Sequence, residues 1–96
     1  MQFMTVSRRR SELYTDADFA PRLEGEAERA CALYIEGFIR QIWNRGDQGG
    51  ACLLVEAESE EEVRTRLASL PLVAAGMLEV VCVIPLEPYR GFAPRD

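Results

Sequence analysis

The stretch from Gly37 to Ala57, GFIRQIWNRGDQGGACLLVEA, constrains this chain more than any other. Two β-prone runs flank a polar, glycine-rich segment, Asn44 to Gly50, which is the pattern of a β-hairpin with a longer loop. One strand-like run and one helical stretch precede the hairpin. One helical stretch and one strand-like run follow it. The chain therefore reads β-α-β-β-α-β, with the hairpin at its centre.

That order is the ferredoxin-like split pattern. It predicts an α+β fold: a four-stranded antiparallel sheet with two helices on one face. A chain of 96 residues makes one domain and has no material left to cover the second sheet face. A bare face favours association. The expected form is a homo-oligomer, a dimer or a multiple of dimers, whose facing sheets form a dimeric α+β barrel around a cavity.

Local signals place the elements. Gln2 to Ser7 is the first strand, and Ser11 to Asp18 a loop. Thr15 with Asp18 forms a capping box, and Pro21 fits only a first turn. Leu23, Ala27, Ala30, Cys31 and Tyr34 then recur at helical spacing as an apolar stripe expected to be buried, with Glu24, Glu28 and Arg29 off it. Gly37 stands where a helix C-cap belongs. Strands follow over Phe38 to Asn44 and Ala51 to Ala57. Ser59 with Glu62 caps a second helix that buries Val63, Leu67 and Leu70 and is stopped by Pro71. Leu72 to Gly76 is a connector, and Met77 to Leu86 the last strand. The tail, Glu87 to Asp96, has two prolines but also Tyr89 and Phe92, and is expected to pack at a subunit interface.

Composition removes several functions. A net charge of −5 argues against nucleic acid or an anionic membrane as partner, since both need a basic surface. The run Arg8-Arg9-Arg10 is a solvated strand end or a small basic patch. The chain has no His, so the usual general base near neutral pH and the commonest zinc ligand are missing. All eleven basic residues are Arg, which excludes Schiff-base and pyridoxal-phosphate chemistry on a lysine. Acid–base work falls to Asp, Glu, Tyr, Cys or water, and no cofactor or metal is expected. Cys31, Cys52 and Cys82 lie apart in apolar runs and read as reduced core thiols in a cytoplasmic protein. No secretory leader is expected from MQFMTVSRRR, and no apolar run approaches the length of a membrane span.

The run EGFIRQIW, then VEAES, then LASLPL and an apolar last strand, resembles the muconolactone Δ-isomerase family across nearly the whole chain. The most specific pieces are Glu36-Gly37 with Arg40 and Trp43, and Leu70-Pro71-Leu72. Ser7 to Leu13, SRRRSEL, departs from the family's pattern. The resemblance implies a ferredoxin-like subunit of the dimeric α+β barrel superfamily and an enzyme of aromatic-compound metabolism. That superfamily is functionally broad, and fold does not fix function.

Strand alternation puts Phe38, Arg40, Ile42 and Asn44 on one face of the hairpin, with Ile39, Gln41, Trp43 and Arg45 on the other. On the next strand Cys52, Leu54 and Glu56 oppose Ala51, Leu53 and Val55. If Arg40 pairs with Glu56 or Leu54, both charges point into the cavity between subunits; a register shifted by one separates them. Glu56 is then the candidate base for proton transfer next to a carbonyl, with Arg40 clamping a substrate carboxylate. Phe38, Trp43, Tyr89 and Glu79 are the candidate substrate-binding residues. The plainer readings are a cross-strand ion pair for Arg40 and Glu56, a solvent-facing Glu79, a core Trp43 and an interface Tyr89. The expected function is a cofactor-independent small-molecule isomerase; the alternatives are a non-catalytic ligand-binding protein and a structural oligomer.

Overall fold

A computed structural model of the chain describes residues 1–92, 94 and 95. The elements are β1 (Gln2–Arg9), α1 (Asp16–Phe19), a 3-10 turn (Ala20–Arg22), α2 (Leu23–Ile35), β2 (Ile39–Asn44), β3 (Ala51–Glu56), α3 (Glu60–Leu67), α4 (Pro71–Ala74), β4 (Leu78–Leu86) and a 3-10 turn (Arg90–Phe92). The strands form one antiparallel sheet in the order β2-β3-β1-β4, the ferredoxin-like arrangement. Among the described residues no helix is long and apolar enough to cross a membrane.

Alternation along the central β1 separates the two faces. Phe3, Thr5 and Ser7 are buried on the helix side, as a period of two requires. With Leu53, Val55 and Val83 of the neighbouring strands, Phe3 meets Leu33 of α2 and Val63 and Leu67 of α3 in the main core. Phe19, Leu72 and Met77 make a smaller core at the far end. Among the described residues, no helix packs on the opposite sheet face. That face presents Met4 and Val6 beside Cys52 and Leu54 on one side and Cys82 and Ile84 on the other.

The expected caps are present and physically complete. The Thr15 hydroxyl accepts from the Asp18 amide while the Asp18 carboxylate accepts from the Thr15 amide. Gly37 sits at φ 89°, and the Phe38 and Gly37 amides donate to the Leu33 and Tyr34 carbonyls, a Schellman ending that satisfies the last carbonyls of α2. The Ser59 hydroxyl accepts from the Glu62 amide, but the Glu62 carboxylate turns to the Glu58 amide at 2.6 Å, so this box closes one residue early.

Three local expectations change. Pro21 sits in a first turn, as expected, but that turn is a 3-10 turn that divides the first helical stretch into α1 and α2. Pro71 does not merely stop a helix. It occupies the first turn of α4, where its fixed φ and missing donor cost nothing, and the expected connector from Leu72 to Gly76 is accordingly helical as far as Ala74. The cysteines are not core residues: Cys31 is exposed, and Cys52 and Cys82 are half-buried on the open sheet face.

The hairpin register also differs from simple alternation. Ile39 pairs with Val55, and Gln41 with Leu54, so Arg40 is the extra residue of a β-bulge. Past the bulge the faces swap. Ile39, Ile42 and Asn44 fall on the helix side with Val55, Leu53 and Ala51, while Gln41 and Trp43 fall on the open face with Leu54 and Cys52. A second bulge, at Val81, lets Val6 oppose Cys82 and Ser7 oppose Val80.

The tail leaves the sheet after Leu86. Tyr89 and Phe92 pack edge to face with centroids 4.9 Å apart and remain exposed. The radius of gyration, 15.0 Å, exceeds the value of about 13 Å expected for a domain near this size. Ala93 and Asp96 of the expected interface tail lie outside the described residues.

Candidate active site

On α2 the residues 23, 26, 30 and 33 share one face, because side chains three and four apart stack along a helix. Leu33 is fully buried in the core and Ala30, half-buried, packs against it, while Ala27 is exposed and Leu23 is 41% exposed. The stripe expected to be buried therefore roofs an open cleft instead, and Cys31 and Tyr34 at its end are exposed. The cleft holds about 380 Å³ between α2 and the helix face of the sheet, with Leu72 and Val73 of α4 at one end. That volume lies within the range of small-molecule sites.

Its walls are mostly apolar, with a few polar groups placed from separate elements. Glu26 projects from α2 into the cleft, half-buried. Burial pushes its pKa up, and a hydrogen bond from the Leu72 amide, 2.9 Å, partly offsets the shift. Thr5 and Ser7 lie in the floor at 3% and 7% exposure. The Ser7 hydroxyl accepts from the Ala51 amide at 3.1 Å and donates to the Ala51 carbonyl at 3.3 Å, tying β1 to β3 beyond their last paired residues.

The hairpin turn forms the rim, and two glycines bring it there. Gly50 sits at φ 137°, and a Cβ on it would stand 2.1 Å from the Ser7 carbonyl oxygen. A Cβ on Gly49 would stand 2.8 Å from the Arg9 side chain. Only glycine allows this approach. The Arg9 amide donates to the Gly49 carbonyl at 3.0 Å. Arg45 is held by two hydrogen bonds to Asp47, 3.0 and 2.8 Å, and a third to the Ser7 carbonyl, 3.2 Å. The first two keep the Asp47 carboxyl below its ordinary range. Arg9 lies across the Phe19 ring at 4.7 Å, also lining the cleft, as do Asn44 and Gln48.

The structure does not gather the residues that alternation singled out. Glu56 and Arg40 are both exposed and form no ion pair with each other among the described residues; Glu56 lies 3.4 Å from the Met1 amine. Phe38 is 2% exposed in the helix-side core, beneath the Arg66 guanidinium. Trp43, 45% exposed, and Glu79 both lie on the open face. Glu79 is bound by Arg8 at 2.6 Å and approached by Arg10 at 3.6 Å. Tyr89 is exposed in the tail. None of these six lines the cleft.

Glu26, Arg9 and Arg45 were the residues that sequence reasoning passed over. A signal for the first exists: Glu26 interrupts the face formed by Leu23, Ala30 and Leu33, where an apolar residue would be expected. Arg9 was hidden within the Arg8-Arg9-Arg10 run, although alternation alone sends the middle arginine to the opposite face from its neighbours.

The family model of muconolactone delta-isomerase matches residues 1–91. Among solved structures, the chain is similar to the 5-chloro-2-hydroxyhydroquinone dehydrochlorinase of Burkholderia phenoliruptrix, determined in complex with 2,5-dihydroxybenzoquinone. The TM-score is 0.59 at 21% identity, over 88% of this chain and 89% of that one. This likeness speaks to the fold. No curated protein sequence matches at a significant level. A match over nearly the whole chain, on a sheet of ferredoxin-like order, places this protein in the muconolactone delta-isomerase family.

Proposed function

We propose that this protein is a cofactor-independent isomerase that moves a proton within a carboxylate-bearing lactone or similar metabolite, and that the chemistry takes place in the cleft beneath α2. The observation that carries the reading is Glu26: a carboxylate in a concave, mostly apolar space, with its pKa raised by burial and its position fixed by the Leu72 amide. A base poised nearer neutrality than an ordinary carboxylate suits proton abstraction from carbon.

The step balances without a co-reactant. Glu26 takes a proton from a carbon conjugated through a C=C bond to the lactone carbonyl, and the electrons shift into a dienolate. The same carboxyl, half-buried in a cleft open to solvent and therefore exchanging its proton with water, returns a proton to the carbon next to the carbonyl, so the double bond moves, nothing is lost, and in deuterated buffer that carbon gains deuterium. Glu26 takes the role that sequence alternation gave to Glu56, which lies outside the cleft.

Two copies are proposed to pair through the open sheet faces, where Val6, Trp43, Leu54 and Ile84 form an uncovered apolar surface. A cytoplasmic location belongs to the same proposal and accords with three free thiols.

The direct test is proton NMR of muconolactone in deuterated buffer with wild-type protein. Protein-dependent deuterium uptake next to the carbonyl, with migration of the vinyl signal, is the expected result. An unchanged spectrum at high protein concentration would remove this substrate from the reading.

A further inference from the structure

We infer that Arg9 receives the anionic end of the ligand, and that the cleft takes a small monoanion whose carboxylate docks in the corner between β1 and the hairpin turn. The inference rests on the cleft being the site of the reaction and specifies what binds there.

Charge balance identifies the residue. Three described lining residues carry a charge-bearing group: Glu26, Arg9 and Arg45. Arg45 already has its partners, with two hydrogen bonds to Asp47 and one to the Ser7 carbonyl. Its charge is neutralised and its fork is filled, so it acts as a strut that fixes the turn. Arg9 differs. Its stem packs on Gly49 and its guanidinium lies over Phe19, yet among the described residues no carboxylate is within ion-pairing distance of it. An aromatic face attracts the cation but offers no lone pairs to five N–H donors.

The neighbours in the sequence sharpen the contrast. Arg8 binds both Glu12 and Glu79, and Arg10 approaches Glu79. Of the three consecutive arginines, the unpaired one is the one that lines the cleft. A guanidinium stays charged at any working pH and matches a planar carboxylate through two parallel hydrogen bonds. One unpaired fork asks for one carboxylate, hence a monoanion.

The test uses 2-furylacetate as an unreactive monoanionic probe and the neutral furan-2-acetamide as its control, titrated into the protein by ligand-observed NMR. Wild type is expected to bind the acid at least about tenfold more tightly than the amide. Arg9→Met, which keeps the stem but removes the charge, should weaken the acid by about tenfold to a hundredfold and leave the amide unchanged. Arg9→Lys should recover part of the difference. The unchanged amide affinity reports that the variant is folded.

Should Arg9→Met not fold, the Arg9 Nε–H resonance of wild type decides: it must shift with the acid and not with the amide. A preference for the acid that survives Arg9→Met, no preference in wild type, or an unmoved Arg9 Nε–H overturns the inference. Arg9-dependent binding without proton exchange into muconolactone would remove the isomerase reading and leave the anion site. Exchange with a KM indifferent to Arg9 would do the reverse.

Discussion

The Leu72 amide of α4 donates to the Glu26 carboxylate of α2 at 2.9 Å. Leu72 lies in the first turn of its helix, where backbone amides have no helical acceptor. Glu26 supplies one, so the same bond that completes a four-residue helix also fixes the carboxylate in the cleft.

This coupling separates two substitutions. Glu26→Gln keeps an oxygen for the Leu72 amide and should fold with nearly wild-type stability near pH 4. Glu26→Ala leaves that amide without its acceptor and should cost about 1 to 3 kcal/mol, read from urea unfolding. Because the folded-state pKa of Glu26 is raised, its protonated form favours folding. That contribution is complete below the unfolded-state value and is lost as pH rises through the folded-state value. The melting temperature of wild type should therefore fall relative to Glu26→Gln across that rise. A constant difference between the two curves would contradict the burial described.

Gly50→Ala should be severe. The added Cβ would meet the Ser7 carbonyl, and φ 137° strains any other residue. The expected loss is about 3 kcal/mol or more, with the turn pushed off β1. Gly46→Ala, in the same turn but with nothing within 4 Å of its Cβ, should change stability by less than about 1 kcal/mol. Denaturant midpoints of the two variants check the contrast.

Leu33 and Tyr34 are adjacent on α2, and a helix wheel gives either a claim to the core. Leu33 is fully buried and Tyr34 is 59% exposed. Leu33→Ala should cost about 3 kcal/mol, through lost burial and the cavity left behind. Tyr34→Ala should cost less than about 1 kcal/mol in the isolated chain. Equal losses would mean that α2 sits closer to the sheet than described and that the cleft is filled.

The open sheet face makes a prediction about mass. Ile84→Glu places a charge amid Met4, Cys82 and the other residues exposed there. Sedimentation should show wild type as a dimer or larger and Ile84→Glu shifted to monomer, since an unpaired charge in a buried interface is costly. A monomeric wild type would contradict the pairing.

The element order, both helix caps at Thr15 and Gly37, and the ferredoxin-like sheet were legible because each rests on short-range rules: capping chemistry, the positive φ of glycine, and strand alternation. The candidate site was not. Its expected location followed from carrying a period of two through β2, and the bulge at Arg40 breaks that period with no local sequence signal that identifies it. The helix stripe was read correctly as apolar, but alanines at 27 and 30 leave space that a leucine would fill. Periodicity reports which side faces inward, not how far away the opposite surface lies. Glu26 on that inward side was the legible clue, and the charge balance that singles out Arg9 needed the partners of Arg8, Arg10 and Arg45 to be known.

Deuterium uptake into muconolactone, followed side by side for wild type, Glu26→Gln and Glu56→Gln, decides where the chemistry takes place. Uptake next to the carbonyl is expected in wild type, with a loss of at least about a hundredfold in Glu26→Gln and a near wild-type rate in Glu56→Gln. Uptake that survives in Glu26→Gln and vanishes in Glu56→Gln would overturn the role of Glu26 and move the chemistry out of the cleft to the open sheet face.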